Sequence, residues 1–255
     1  IELPEGLEEI GKSAFEGCSS LKRIVIPEGV RSIREKTFCE CTALQEIRLP
    51  DGLELIGRSA FSECEALQEI RLPEGLKEIG SDAFSGCRSL RQITVPVGVK
   101  CIETAVFQSC RALQEVHLPE GLEQIGMFAF EDCDTLTRIV LPASLKRLCR
   151  GAFENCTSLL EAQLPDGLEE LQDDAFEYCR SLQKVTIPAQ VRQIERAAFY
   201  YCQSLQEVQL PEELNEIGED AFAHCWALKR IVIPAGVEKV GEHAFWECYS
   251  LQNIA

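Results

Sequence analysis

The chain has 255 residues, of which 45% are hydrophobic and 26% are charged, a composition that fits a folded protein and excludes a disordered one. Its net charge of −17 at pH 7 argues against nucleic acid and anionic membranes as partners, because both need a basic surface. It has no run of about 18 apolar residues, so we expect no membrane insertion.

The sequence repeats itself every 23 residues without a gap. Eleven rows begin at residues 1, 24, 47, 70, 93, 116, 139, 162, 185, 208 and 231. Their consensus is I-x-L-P-x-G-L-x-x-I-G-x-x-A-F-x-x-C-x-x-L-x-x, and we number its 23 positions as columns. Pro in column 4, Phe in column 15, Cys in column 18 and Leu in column 21 occur in every row. A single 23-residue unit cannot bury its own apolar face, but stacked units can, so the repeat predicts a solenoid.

Each row predicts a strand, a turn and a helical segment. The pattern L-x-x-I-x-L, which runs from column 21 into column 3 of the next row, alternates as a short strand with one buried face does. Pro in column 4, followed in most rows by Gly in column 6, ends the strand in a tight turn. From column 11 to column 21, G-x-x-A-F-x-x-C-x-x-L has apolar residues three and four positions apart and predicts a short helix. The predicted fold class is therefore an α/β repeat.

These rows resemble the BspA-like (Treponema-type) bacterial leucine-rich repeats. The resemblance rests on LKRIVIPEGVRSI at 21–33, LQEIRLPDGLELIGRSAFSEC at 44–64 and LKRIVIPAGVEKVGEHAFWEC at 228–248, and the repeat covers the whole chain. It implies one solenoid domain over residues 1–255, with eleven coils, a parallel sheet on the concave side and short helical segments on the convex side. It also implies a cell-surface or secreted protein, often linked to adhesion, and it supplies no catalytic residues.

The fourteen cysteines are interpreted as structural. Eleven of them occupy column 18, between Phe and Leu, where a buried thiol acts as a small hydrophobic group. The three others are Cys39, Cys101 and Cys149. Column 16 is expected to be exposed, which would make Cys39 a reactive surface thiol. No Cys or His spacing matches a metal site, so we expect no bound metal and no cofactor.

No arrangement of residues predicts catalysis, so we expect that the chain is not an enzyme. His117 falls on the predicted concave sheet, and His224 and His243 fall on the convex segment or its edge. None of them forms a Ser-His-Asp, Cys-His or H-E-x-x-H motif. The carboxylates recur at fixed columns, as they do on a solvated face.

The predicted concave face is the first candidate surface for a partner. Columns 23 and 2 flank the inward residue of each strand and should point outward. Eleven strands about 4.8 Å apart would form a face on the order of 50 Å long, enough for a protein interface. The candidate partner-binding residues on it are Arg48, Arg71, His117 and Arg138. The alternative is a solvated sheet whose neighbouring charges satisfy one another.

The second candidate surface is aromatic. All four Tyr and both Trp lie in rows 8 to 11, in columns 16, 17 and 19. These residues are Tyr178, Tyr200, Tyr201, Trp226, Trp246 and Tyr249. Exposed Tyr and Trp are typical of interface hot spots, so stacking of the rows predicts a patch that binds a partner. The alternatives are aromatic side chains that cover the end of the solenoid, or ordinary surface scatter.

Together these features favour a non-catalytic module that binds a protein partner, such as a host or matrix protein. The alternative function is a purely structural or engineered repeat scaffold without a dedicated ligand. The first residues already belong to the repeat, so we expect a mature fragment or an excised domain. The bare ends of the repeat imply either that capping units were removed or that the ends pair between chains. The solenoid ends, or the aromatic residues, would also allow a homodimer.

Overall fold

The computed structural model describes residues 2–254, without the side chains of Asn253 and Ile254. Its regular elements are short strands and turns that recur every 23 residues. Ile1 and Ala255, the first and last residues of the predicted solenoid, lie outside the described residues. The repeat unit of the sequence is therefore also the repeat unit of the structure.

The first set of strands forms a parallel layer, which we call the main sheet. Its strands are Arg23–Val25, Glu46–Arg48, Gln92–Thr94, Glu115–His117, Arg138–Val140, Glu161–Gln163, Lys184–Thr186, Glu207–Gln209, Arg230–Ile231 and Asn253–Ile254. Paired residues are 23 positions apart, as Arg23 and Glu46 are, so consecutive coils stack in register. Residues 69–71 form no strand, although Ile70 remains buried between exposed neighbours. The strands occupy the columns that the sequence predicts.

A second parallel layer, which we call the second sheet, follows the column-4 proline. Its strands are Ser32–Ile33, Leu55–Ile56, Glu78–Ile79, Cys101–Ile102, Gln124–Ile125, Arg147–Leu148, Glu170–Leu171, Gln193–Ile194, Glu216–Ile217 and Lys239–Val240. In all but the last of them the second residue is buried, because column 10 is always apolar. The sequence analysis missed this layer, since two residues are too few to show an alternating pattern.

The predicted short helices are wrong: columns 11 to 21 form successive turns, and residues 2–254 contain no helix. The third coil shows the reason. The amide N–H groups of Ser59, Phe61 and Glu63 donate to carbonyl oxygens of the next coil at 2.9, 2.8 and 2.7 Å. The intervening Ala60 and Ser62 donate to the carbonyl oxygen three residues back at 3.2 Å. A helix needs every amide to bond four residues back in its own segment, so the alternation between coils excludes one.

These turns place a left-handed backbone at columns 13 and 17 of the coils. In the described residues, nineteen side-chain-bearing residues have φ between 52 and 60°. Gly17, Gly86 and Gly151 occupy the same columns with φ of 70, 73 and 60°. A left-handed L-residue costs roughly 1–2 kcal/mol, so the hydrogen bonds between coils and the packing of the core must offset this strain. The turns are consequently held in one geometry from coil to coil.

Two side-chain ladders fill the interior. The column-15 rings stack from Phe15 to Phe245, with neighbouring centroids 5.2 to 5.7 Å apart. Beside them, the column-18 thiols from Cys41 to Cys248 donate to the Phe carbonyl oxygen of the preceding coil at 3.1 to 3.3 Å. All fourteen cysteines are free thiols. The thiol ladder therefore packs as a hydrophobic column and also satisfies backbone carbonyl groups.

The prediction of eleven equivalent coils is also wrong, because the structure supports about nine turns. Nine column-15 rings are fully buried, which marks the coils that are enclosed on both sides. Phe15 and Phe245 are only partly buried against the core. Rows that begin at 1 and 231 therefore differ physically from the rows between them, although their sequences follow the same consensus.

Cys39 is buried, and this burial raises the pKa of its thiol. The prediction of a reactive surface thiol is therefore wrong. Column 16 is partly covered by adjacent coils in most rows, so a short side chain there is enclosed. Ala223, in the same column, is buried for the same reason.

Candidate binding surfaces

The outward face of the main sheet carries the predicted polar residues. Arg48, Arg71, His117 and Arg138 are all exposed, because each lies in column 23 or 2 beside an inward apolar residue. Three of them have an acidic neighbour. The pairs are Arg48 Nε and Glu46 at 3.4 Å, His117 Nε2 and Glu115 at 3.0 Å, and Arg138 Nη2 and Glu161 at 3.1 Å. Within residues 2–254, Arg71 makes no such pair.

An open hollow of about 1220 Å³ lies over the N-terminal half of the main sheet, and we call it the N-terminal hollow. Four arginines, four glutamates and four glutamines are among the residues that line it. Arg71 and Arg91 are exposed in it and make neither an ion pair nor a side-chain hydrogen bond with the described part of the chain. A concave main sheet would produce a hollow at this place.

The C-terminal half of the same face also pairs polar groups on adjacent strands. The contacts are Arg138 with Glu161 at 3.1 Å, Lys184 with Glu207 at 3.5 Å and Thr186 Oγ1 with Gln209 at 3.3 Å. Neighbouring charges on adjacent strands neutralise one another in this way. Both halves therefore contain charges paired across adjacent strands, such as Arg23 with Glu46 and Arg138 with Glu161, as the interpretation of a merely solvated sheet expects.

The six predicted aromatic side chains come together on the turn segments of the last four rows. With His224 they form a continuous surface, which we call the aromatic patch, and His243 packs against its edge, 5.5 Å from the Trp246 ring. Its members are Tyr178, Tyr200, Tyr201, His224, Trp226, Trp246 and Tyr249, with neighbouring ring centroids 4.0 to 6.4 Å apart. None of them lines the N-terminal hollow. The candidate residues of the sequence analysis thus belong to two separate surfaces.

His224 is the member of the aromatic patch that the sequence analysis missed. Its ring stacks on Tyr201 at 4.0 Å and meets Trp246 edge-on at 4.8 Å, and the residue is only 4% exposed. Its Nδ1 lies 3.0 Å from a carboxylate oxygen of Glu247, without the angles of a hydrogen bond. Tyr201, His224 and Glu247 share column 17 in consecutive rows, so a comparison by columns would have found it.

The aromatic patch has a covered base and an exposed rim. Tyr178, Tyr200 and Tyr201 are partly buried. Trp226, Trp246 and Tyr249 are 38%, 49% and 72% exposed. The rim is therefore available to a partner, while the base fixes its geometry.

Carboxylates surround the aromatic patch. The carboxylate of Glu247 raises the pKa of the Tyr249 phenol. Burial raises the pKa of Tyr178, with the charge of Glu177 as the next cause. The guanidinium of Arg180 lies over the Tyr178 ring, 5.6 Å from its centroid. An arginine therefore already uses one of these ring faces as a cation–π partner.

A third polar cluster, on the turns of rows 7 to 9, is covered by its surroundings. Asp174 is a buried residue, 2% exposed, and its carboxylate accepts hydrogen bonds from Arg150 Nε at 2.9 Å and Arg196 Nη2 at 3.0 Å. Burial raises the pKa values of Glu154 and Glu177 to about 7, and neighbouring carboxylates add to the effect. Across residues 2–254, no group of three or more His, Cys, Asp or Glu side chains is placed to hold a metal ion. We interpret this cluster as structural.

The raised pKa values of Glu154 and Glu177 predict a specific pH dependence. Both groups bind a proton more tightly in the folded chain than at the ordinary pKa of 4.5, so their contribution to stability is complete below pH 4.5 and is lost as the pH rises through about 7. We expect the Glu154→Gln/Glu177→Gln variant to melt at a higher temperature than the parent chain at pH 8, with a smaller difference at pH 5. Thermal melts at both pH values measure this. The exposed pair Glu28→Gln/Glu212→Gln is the control, and an equal gain in the control would contradict the assignment.

Comparison with known families identifies the family of the repeat. The model of the BspA type leucine rich repeat region matches the chain in overlapping stretches, at residues 1–111, 31–157, 77–205 and 169–255. The chain belongs to the BspA-type leucine-rich repeat family. Members of this family are repeat proteins that generally serve as binding scaffolds. No curated protein matches the chain significantly.

Solved structures of bacterial proteins resemble the chain over nearly its whole length. A leucine-rich repeat protein from Bacteroides ovatus is 31% identical, with a TM-score of 0.77, and the match covers 100% of this chain and 77% of that one. A leucine rich cell surface protein from Faecalibacterium prausnitzii is 28% identical, with a TM-score of 0.66 and coverage of 99% and 80%. The pneumococcal vaccine antigen PcpA, 23% identical with a TM-score of 0.59 and coverage of 91% and 61%, shares the fold. Among the described residues of this BspA-type chain, no helix is long and apolar enough to cross a membrane.

Proposed function

We propose that this chain is a non-catalytic module that binds a protein partner at the cell surface or after secretion. Its BspA-type repeats support a binding scaffold. The similar protein from Faecalibacterium prausnitzii is described as a cell surface protein, which supports the same location for this chain. An adhesive role, with a host or matrix protein as the partner, is the form of this function that we propose.

The observation that carries the proposal is the pair of unpartnered arginines in the N-terminal hollow. Arg71 and Arg91 are exposed cations in a chain of net charge −17, and no carboxylate of the described residues lies within ion-pair distance of them. A guanidinium group binds a carboxylate through two parallel hydrogen bonds. Arginine is also enriched among the residues that dominate interfaces. The hollow is therefore suited to an extended protein segment that carries carboxylates.

The backbone beneath these arginines is also distinctive. Residues 69–71 form no strand, although both neighbouring rows, at Glu46–Arg48 and Gln92–Thr94, do. The main sheet is therefore interrupted at residues 69–71, below the hollow, although the second sheet continues there from Leu55–Ile56 to Glu78–Ile79.

The proposal is tested by capture on a panel of immobilised host matrix and cell-surface proteins. We expect the Arg71→Glu/Arg91→Glu variant to bind the captured partner at least about tenfold more weakly, because each reversal removes a charge-assisted hydrogen bond and adds repulsion. The matched control is Lys146→Glu/Arg147→Glu, two exposed cations on and beside the second sheet. We expect the control to change binding less than about twofold.

Two outcomes would contradict the proposal. Equal weakening in both variants would mean that overall charge, and not the N-terminal hollow, governs binding. Failure of the parent chain to bind any protein of the panel would favour the second candidate function, a structural repeat scaffold without a dedicated ligand. The gapless spacing of 23 residues is the observation that favours this second candidate.

A further inference from the structure

The aromatic patch is a second surface that the N-terminal hollow does not explain. It lies on the turn segments, in columns 16, 17 and 19, and not on the main sheet. Three of its rings, those of Trp226, Trp246 and Tyr249, are exposed large side chains. Exposed aromatic clusters of this kind mark interaction sites more often than chance placement does.

The backbone holds the base of the aromatic patch in one arrangement. Tyr178, Tyr201 and His224 are all left-handed, with φ of 57, 57 and 60°. Their amide N–H groups donate to carbonyl oxygens of the next coil at 2.8, 2.9 and 2.7 Å. His224 is also wedged between the rings of Tyr201 and Trp246. The base therefore has little conformational freedom left to lose on binding, which favours affinity.

The charges around the aromatic patch are predominantly negative. A carboxylate oxygen of Glu247 lies 3.0 Å from His224 Nδ1, and Glu247 is two residues from Tyr249 in the chain. Glu177 acts on Tyr178. Among the described residues, the one Lys or Arg that stacks on a ring of the patch is Arg180. Negative ring faces and carboxylates together attract cations, and Arg180 shows that a guanidinium fits such a face.

We propose that the aromatic patch binds a basic segment of a partner protein, whose Arg or Lys side chains stack on Trp226, Trp246 and Tyr249 and pair with Glu247. Charge complementarity selects this occupant over an acidic or a neutral one. The N-terminal hollow is a different site, whose arginines suit an acidic segment. One chain can therefore engage a basic segment and an acidic segment at the same time.

The two tryptophans of the chain, Trp226 and Trp246, are both in the aromatic patch, so intrinsic tryptophan fluorescence reports on this site alone. The probe is an alternating Arg-Ser octapeptide, titrated at physiological ionic strength. We expect a saturable change in emission. The matching Glu-Ser octapeptide and octaproline, which tests aromatic recognition without charge, should produce no saturable change.

Substitutions locate the binding. Tyr249→Ser should weaken binding of the Arg-Ser peptide about tenfold and Glu247→Gln about fivefold, in line with one cation–π contact and one charge-assisted contact. Glu238→Gln removes an exposed carboxylate of the same row outside the patch and should change binding less than about twofold. Arg71→Glu/Arg91→Glu should not weaken it. Because Tyr249 is 72% exposed, its substitution should leave the melting temperature unchanged.

Three results would overturn the inference. The first is an unchanged tryptophan emission of the parent chain when the Arg-Ser peptide is added. The second is an equal loss of peptide binding in Glu247→Gln and Glu238→Gln, which would indicate non-specific attraction, and the third is octaproline binding as strong as that of the basic peptide. A dimer in light scattering that Tyr249→Ser dissociates and the basic peptide does not would assign the patch to a second copy of this chain. The last variant above, Arg71→Glu/Arg91→Glu, separates failure of this inference from failure of the proposed function.

Discussion

Replacement of Phe130 by alanine should lower the free energy of unfolding by about 3–5 kcal/mol, the cost typical of deleting a buried aromatic ring. Phe130 is fully buried, and its ring stacks between Phe107 and Phe153, with both centroid distances 5.3 Å. The loss removes ring–ring contacts on both sides and leaves a cavity in the middle of the ladder. Since each coil is stabilised chiefly by its neighbours, the gap should also weaken the coupling between the two halves of the solenoid.

Urea denaturation of three variants measures this effect. Phe130→Leu keeps most of the volume and should cost about 1–1.5 kcal/mol. Phe15→Ala removes a ring that is only partly buried and stacks on a single neighbour, Phe38, so its cost should be smaller than that of Phe130→Ala. Equal losses in Phe130→Ala and Phe15→Ala would show that the ladder is not the continuous core described above.

Replacement of Asp174 by alanine should cost about 2–3 kcal/mol, somewhat less than the full loss of a partner from a buried ion pair. The carboxylate is 3% exposed and contacts both Arg150 and Arg196, but these arginines are themselves half exposed and can regain water. Asp174 also has a left-handed backbone, with φ of 57°. Alanine tolerates this conformation less well than aspartate does.

Asp174→Asn separates these causes, because asparagine keeps the shape and the tolerance for a left-handed backbone and removes only the charge. In the same urea experiment we expect Asp174→Asn to be less stable than the parent chain and more stable than Asp174→Ala. Asp174→Ala should also reduce the loss of stability between pH 5 and pH 8, since the charge of Asp174 helps to raise the pKa values of Glu154 and Glu177. An Asp174→Ala variant as stable as the parent would mean that the two arginines contribute nothing there.

The repeat made most of the fold predictable from the sequence. Invariant Pro, Phe, Cys and Leu columns gave the period, the direction of the main-sheet side chains and the two core ladders, because a solenoid places identical columns on top of one another. The same reasoning predicted that the six aromatic residues lie close together. Column position alone, however, did not tell which of them would be exposed.

The helices were mispredicted for a physical reason. Spacings of three and four residues arise equally from a helix and from consecutive turns, and only hydrogen bonds between coils distinguish the two. Those bonds require left-handed residues such as Glu63 and Tyr201, which composition does not reveal because few of these positions are glycine. Cys39 was mispredicted as exposed, and the burial of His224 was not predicted, for a related reason: adjacent coils cover columns 16 and 17 more than a helix surface would be covered.

The central claim, that the N-terminal hollow binds a protein partner, is tested most directly by hydrogen–deuterium exchange of the free chain and of its complex with the captured partner. Residues 69–71, which form no strand, should exchange quickly in the free chain and markedly more slowly in the complex. The amides of the neighbouring strands at 46–48 and 92–94 should also exchange more slowly in the complex. Slowing confined to the turn segments, with residues 69–71 unchanged by the partner, would contradict the claim.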